Sequence, residues 1–229
     1  PLRERCTAVY VHESSTRIWP EVFAAQWPGC GGSTSSSASA ALKLQARLEM
    51  CTGRLDVQLQ EGRASDRAAR LPGPLPAGAL RLADLGYWSL EAFAALEQHK
   101  VFWLSRLQMQ TAVYDATGAR QDLLTLLASQ PTDTIELAVA LGERQRLAAR
   151  LVAVRVPQDV ADTRRRRLRK AARDKGRQVS ATRLALAAWT LFVTNVPPER
   201  LTLREALVLG RMRWQIELLF KLWKSHGRV

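Results

Sequence analysis

Cysteine is almost missing from this chain. Cys6, Cys30 and Cys51 are odd in number and widely spaced, which excludes a disulfide framework or a thiolate zinc site and fits idle thiols in a reducing cytosol. Histidine is as scarce. His12, His99 and His226 share no metal-ligand spacing, and none stands as a base for Ser14, Ser15 or Thr16, so no nucleophilic triad is read. No apolar run reaches about 18 residues and no signal peptide is visible, so no membrane segment is expected. The Gly/Ser tract at residues 28–40 lacks a G-K-[ST] ending, which removes a phosphate-binding P-loop. Acidic residues are in deficit as well. Thirty-four Lys and Arg stand against 21 Asp and Glu, a net +13. That balance points to a polyanion, most simply nucleic acid; an anionic membrane surface is the rival.

What is present suffices for one sizeable core, or a core plus an elaborated insertion: 229 residues, 47% of them hydrophobic. A first residue that is not Met leads to the expectation of a fragment of a longer protein. Residues 8–11 read as a short strand that delivers Glu13 to its C-terminal edge. Residues 42–51 and 55–59 alternate apolar and polar and read as two half-buried strands joined at Thr52–Gly53. Residues 65–71 read as a short helix before a Pro/Gly break. Residues 79–83 are an apolar strand with Asp84 at its end, followed by a helix over 89–99 with Ser89 as N-cap. Another buried strand follows at 101–107.

From residue 108 the character changes to alternating stretches at 111–114, 134–141 and 147–156, read as a β-rich insertion. A basic helix is expected at 162–177, a buried strand at 184–196, and a last helix opened by Thr202 and Glu205 in a capping-box pattern. Strands, then strand–helix–strand, then an insertion, then a helix suit an α/β domain.

The last stretch, residues 206–227, reads ALVLGRMRWQIELLFKLWKSHG. At about 100° per residue, Arg213, Glu217, Lys221 and Lys224 share one narrow stripe of a helix that is apolar nearly all round, hence buried. Charge is costly to bury unless paired or metal-bound. Two readings are open: an ion-pair ladder at i, i+4, or an acidic metal ligand flanked by cations that hold phosphates.

The spacing Arg213, Glu217, Lys224 inside RWQIELLFKLWK resembles the Y-R-E-K motif of DDE transposases of the insertion-sequence-4 family. WTLFVTNVPPE at 189–199 is similar to the strand and turn leading into that helix, and ADLGYW at 83–88 to the segment with the second catalytic Asp. The resemblance covers about residues 9–224. It departs at Gly210, where the family has Tyr, and at Glu13, where the family has Asp. It implies a ribonuclease-H-like mixed sheet with flanking helices, interrupted by a β-rich insertion. The core would span 1–107 and 181–229, with the insertion and basic helix at 108–180.

It also implies metal-dependent strand cleavage and transfer by Glu13, Asp84 and Glu217, with double-stranded DNA as partner and a homodimer in the full-length protein. A bacterial, nucleoid-associated setting follows. Three carboxylates suit two Mg²⁺ ions, with Mn²⁺ as substitute. Asp84 and Glu217 are expected to approach each other at one sheet edge, with Glu13 on the adjacent strand. Glu13 reads either as a ligand one methylene too long or as a solvated strand-end acid. Arg213, Lys221 and Lys224 would grip phosphates. Trp189 would stack on a flipped base, or sit in the core. Arg164, Arg165, Arg166 and Arg167 open a basic run that reads as a DNA contact or as a solvated face. Two rivals stand beside the active transposase: a catalytically impaired remnant that only binds DNA, and a basic scaffold protein.

Overall fold

The structure, a computed structural model, describes residues 2–29, 39–212, 216, 218, 220–222 and 225, and of Leu2 and Arg3 the backbone alone. The chain divides into two compact units, Pro1–Trp103 with Leu209–Val229, and Leu104–Val208.

In the first unit a short helix α1 (Leu2–Arg5) precedes β1 (Val9–Trp19), β2 (Ala40–Glu49), β3 (Leu55–Glu61) and β4 (Leu80–Ala83). Helix α2 (Leu90–Gln98) follows, and then β5 (Phe102–Arg106), whose end belongs to the second unit. The strand order is β3-β2-β1-β4. β1–β2 and β2–β3 are antiparallel, and β1–β4 is parallel. Val9, Val11, Leu80 and Leu82 are buried on one face of this sheet. Ser89 caps α2 by accepting the Ala92 N–H at 3.2 Å, as expected. Phe93 stacks on Trp103 at 4.4 Å and takes Trp88 edge-on at 5.2 Å, which ties α2 to β5 and to the turn after β4.

Several elements depart from the pattern reading. β1 is 11 residues long, because the Ser14–Trp19 segment pairs fully with β2 and its β-branched residues suit a half-exposed strand. The stretch at 65–71 makes only a 3-10 turn, Asp66–Ala68. Pro72 disfavours helical geometry at Leu71, and the chain instead offers the Pro72 and Gly73 carbonyls to the Arg47 guanidinium.

The second unit runs β6 (Val113–Tyr114), β7 (Arg120–Gln121), α3 (Leu123–Ala128), β8 (Thr134–Leu141), β9 (Leu147–Arg155), α4 (Gln158–Arg173), α5 (Ala181–Leu186), β10 (Trp189–Thr194) and α6 (Leu203–Met212), the last ending in the first unit. From β5 its strand order is β5-β10-β9-β8-β6-β7, antiparallel at every pairing given for it. The strand expected from residue 184 starts only at Trp189. Ala181–Leu186 is instead helical, since Ser180 caps it by accepting the Arg183 N–H and Ala, Arg and Leu favour helix. α3 was not read from the sequence. The capping box holds: Thr202 N–H donates to Glu205 at 2.9 Å, and Glu205 N–H to Thr202 Oγ1 at 3.3 Å. The architecture is α/β, with a mixed sheet and helices, as expected.

Candidate active site

The site is set by strand register. β1 and β4 run parallel, with Val9 opposite Leu80 and His12 opposite Ala83 as the outermost pairs. One residue further, Glu13 lies alongside Asp84. Alternation along a strand puts Glu13 on the face of Val11, and Asp84 on the face of Leu82. Those two apolar residues are paired and buried on one side of the sheet. The two acids therefore share a face. Glu13 is not at the end of β1, as the pattern suggested; it is paired with Ala46 of β2, and only its pairing with β4 ends there. It is buried, 7% exposed, and its carboxylate folds back to accept the Ser14 N–H at 3.3 Å. Asp84 is half-buried and opens the 3-10 turn Leu85–Tyr87 in extended geometry.

The opposite face of the same strands carries a polar layer. The Asp66 carboxylate accepts the Ser14 hydroxyl at 2.8 Å and the Lys43 ammonium at 3.1 Å, with Gln45 Nε2 at 3.5 Å. Lys43 also donates to the Ala64 carbonyl. Tyr87 donates its hydroxyl to Gln45, which in turn donates to Gln60 at 3.1 Å. Burial pushes the Tyr87 phenol well above its ordinary range, and the Asp66 and Glu13 carboxylates add to the shift. His12 lies beside Arg81, whose Nε is 3.5 Å from His12 Nδ1, and its ring meets Tyr87 edge-on. Burial, then the Arg81 and Arg47 cations, hold the imidazole well below its usual pKa, so it is neutral. Arg47 is forked onto Asp56 at 2.7 and 3.0 Å, and that hydrogen bonding lowers the Asp56 carboxyl.

Arg213, Glu217 and Lys224 lie outside the described residues. Around them Ile216 and Phe220 are buried, whereas Lys221 is exposed, as are Leu218 at 37% and Leu222 at 54%. The helix is thus not apolar-buried nearly all round; one leucine flank meets solvent. Gly210 sits half-buried in α6. Cys6 and Cys51 form no disulfide among the described residues, and Cys30 lies outside them. Among the described residues no group of three or more His, Cys, Asp or Glu side chains is arranged to hold a metal ion, and no helix is long and apolar enough to cross a membrane.

In the second unit Trp189 is buried, with the Arg155 guanidinium 4.8 Å over its ring. The basic helix divides by role. Arg164 donates to the Trp189 and Ala187 carbonyls and to the Thr190 hydroxyl, and Arg165 to the Leu184 carbonyl and Asp162. Those two forks hold α4 to α5 and β10. Arg166, Arg167, Arg169, Lys170 and Arg173 are exposed.

Pattern reading missed Asp66, Ser14, Lys43, Gln45 and Tyr87 as members of this neighbourhood. Asp66 had no periodic signal, because its position comes from a loop folding back onto the sheet. Tyr87 was quoted only as part of a motif.

Comparison with known proteins matches residues 7–228 to the family described as transposase DDE domain. Similar relatives are the transposase for insertion sequence element IS231F of Bacillus thuringiensis subsp. israelensis, 29% identical over 220 residues, 87% of this chain and 46% of the relative. A second is the transposase for insertion sequence element IS1151 of Clostridium perfringens, 24% identical over 249 residues, all of this chain and 52% of the relative. A third is the putative transposase InsL for IS186A of Escherichia coli K12, 30% identical over 179 residues, 74% of this chain and 48% of the relative. The chain spans about half the length of the curated relatives it matches.

Proposed function

Because the chain belongs to the transposase DDE domain family, we propose that it is the catalytic core of a bacterial DNA transposase that cuts and rejoins strands with divalent metal ions. The observation that carries the reading is the in-register pair Glu13 and Asp84 on one face of adjacent parallel strands. Glu217 completes the acid triad in this reading.

The donor chemistry fits a hard cation. Two carboxylates, one within β1 and one just past β4, offer oxygen only, while the His12 imidazole is on the opposite face. Mg²⁺, or Mn²⁺ in its place, would supply Lewis-acid stabilisation of the attacking and leaving oxygens when bound. Glu13 and Asp84 would hold it at fixed spacing. The buried apolar residues behind them, Val11 and Leu82, keep bulk water from the base of the site. Arg213 and Lys224 would orient the scissile phosphate, the first by a bidentate fork and the second as a point charge. Lys221 is exposed and available for the same duty.

DNA is held, in this proposal, by the outward cations of α4, Arg166, Arg167, Arg169, Lys170 and Arg173, which contact phosphates without reading bases. Arg164 and Arg165 support that helix from behind. Trp189, buried under Arg155, contributes as a core residue. In this proposal a homodimer would pair two transposon ends in the nucleoid.

The remnant reading draws on Glu13 and Gly210, which lack the family's Asp and Tyr. A plasmid nicking assay separates the two. Cleavage that needs Mg²⁺ or Mn²⁺ and disappears in Asp84→Asn supports the enzyme. DNA retention without cleavage in either metal supports the remnant. Cleavage unchanged in Asp84→Asn overturns the assignment of the site.

A further inference from the structure

Beneath the proposed acid pair, on the other face of the sheet, one carboxylate touches both segments that carry it. Asp66 Oδ1 accepts the Ser14 hydroxyl at 2.8 Å, and Ser14 is the residue after Glu13. Asp66 Oδ2 occupies the place a Cβ on Gly86 would take, and Gly86 is two residues after Asp84. Lys43 neutralises Asp66 at 3.1 Å and is only 13% exposed. Gln45 links the same carboxylate to the Tyr87 hydroxyl. The chain that delivers Asp66 is fixed in turn: Ser65 caps its turn, and the Gln60 amide donates to the Ala68 carbonyl at 3.0 Å.

We infer that Asp66 is a positioning residue that clamps the β1 segment at Ser14 to the turn at Gly86, and so sets the spacing of the Glu13 and Asp84 carboxylates toward divalent metal. Parallel neighbours in a sheet lie about 4.8 Å apart, and β4 ends at Ala83, so Asp84 stands where the strand gives way to the turn that Asp66 meets at Gly86. Gly86 is glycine here for that reason, since a methyl group would collide with the carboxylate. The inference rests on the proposal that Glu13 and Asp84 hold the metal.

The test measures Mn²⁺ binding to the 229-residue chain by the electron paramagnetic resonance signal of free Mn²⁺, at a temperature where circular dichroism shows each variant folded. Asp66→Ala should weaken binding about ten-fold, as loss of an outer partner of a metal ligand does. Asp66→Asn keeps the shape and one acceptor, and should fall between. Gly86→Ala, which displaces the carboxylate, should weaken binding to a similar degree. Combined with Asp66→Ala it should cost nothing more, because the truncated side chain leaves room for the methyl group. A merely structural role would lower the melting temperature and leave the affinity of the folded variants unchanged; that result overturns the clamp. If Asp84→Asn abolishes binding while Asp66→Ala and Gly86→Ala bind as the parent does, the clamp fails and the site stands. If Asp84→Asn binds as the parent does, or the parent binds no Mn²⁺, the site itself fails and the clamp with it.

Discussion

Glu13 and Asp84 are neighbours across two adjacent parallel strands, each one residue past the last bonded pair, His12 and Ala83. Strand spacing of about 4.8 Å puts same-face side chains from such positions within the span of a two-ion site, in which the metals lie roughly 3.5–4 Å apart. The side chains of Val11 and Leu82, one pair earlier on that face, are almost fully buried. The acids therefore mark the point where an apolar strand pair meets the proposed site.

Asp84 follows the last residue of β4 and opens a turn in extended geometry, a backbone conformation that Asn adopts as readily. Asp84→Asn should leave the thermal midpoint within about 2 °C, in keeping with a change below ~0.5 kcal/mol at a half-exposed position. It should lower metal-dependent nicking by at least about 10²-fold. Melting followed by circular dichroism and nicking of supercoiled plasmid check the two halves separately.

The basic helix makes a divided prediction. Changing Arg166, Arg169 and Arg173 to Ala together should flatten the salt dependence of DNA binding by roughly 0.9 in slope for each phosphate that is no longer neutralised, with stability little changed. Arg164→Ala should do the reverse. It removes hydrogen bonds to the Trp189 carbonyl and the Thr190 hydroxyl, at a cost of about 1–3 kcal/mol. Fluorescence anisotropy across a salt series, beside urea unfolding, reads both. An unchanged slope in the triple variant would place the DNA surface elsewhere.

Much of this division was hidden from the sequence. Residues 164–177 read as one cationic run, because composition does not tell a guanidinium that faces solvent from one that caps carbonyls. The strand–helix–strand about Asp84 was legible, since an apolar stretch, a Ser cap and a second apolar stretch are local signals. The partnership of Glu13 with Asp84 was only implied by family resemblance. Register between strands 71 positions apart is a tertiary fact that β1, with its unforeseen length, does not announce. Asp66 was illegible for the same reason: its partners Ser14, Lys43 and Gly86 come together only when a loop covers the sheet.

Glu49 predicts the acid limb of stability. Burial raises its pKa, but the Thr52 hydroxyl and the N–H groups of Cys51, Thr52 and Val9 outweigh that and bring it to about 2 from 4.5. A folded pKa below the unfolded value means stability that is fully present above pH 4.5 and is lost as pH falls towards 2. The shift corresponds to something on the order of 3 kcal/mol. Glu49→Gln should be less stable at neutral pH and should show a flatter stability curve between pH 4.5 and 2. Urea midpoints measured at half-unit pH steps decide it; parallel curves for the two proteins would contradict the assignment.

The last prediction concerns Glu13, which the proposed site sets where the family resemblance implies an Asp. An extra methylene moves a carboxylate by roughly an ångström, and errors of that size at a reacting centre cost about 10²-fold. Here part of that length is taken up, because the carboxylate folds back onto the Ser14 N–H at 3.3 Å. Burial at 7% exposure also limits its alternatives. The penalty should therefore fall at the mild end. Glu13→Asp is expected to raise Mg²⁺-dependent nicking about ten-fold. The gain in Mn²⁺ should be smaller, since that ion accepts less regular coordination. Asp cannot reach back to Ser14 in the same way, so the variant should also lose a little stability, on the order of 1 kcal/mol for one hydrogen bond. Faster cleavage together with slightly lower stability would mark Glu13 as a ligand held short of its best position. Equal rates for Glu13 and Asp in both metals would show that this side chain does not set the spacing, and would move the first acid of the site to another residue.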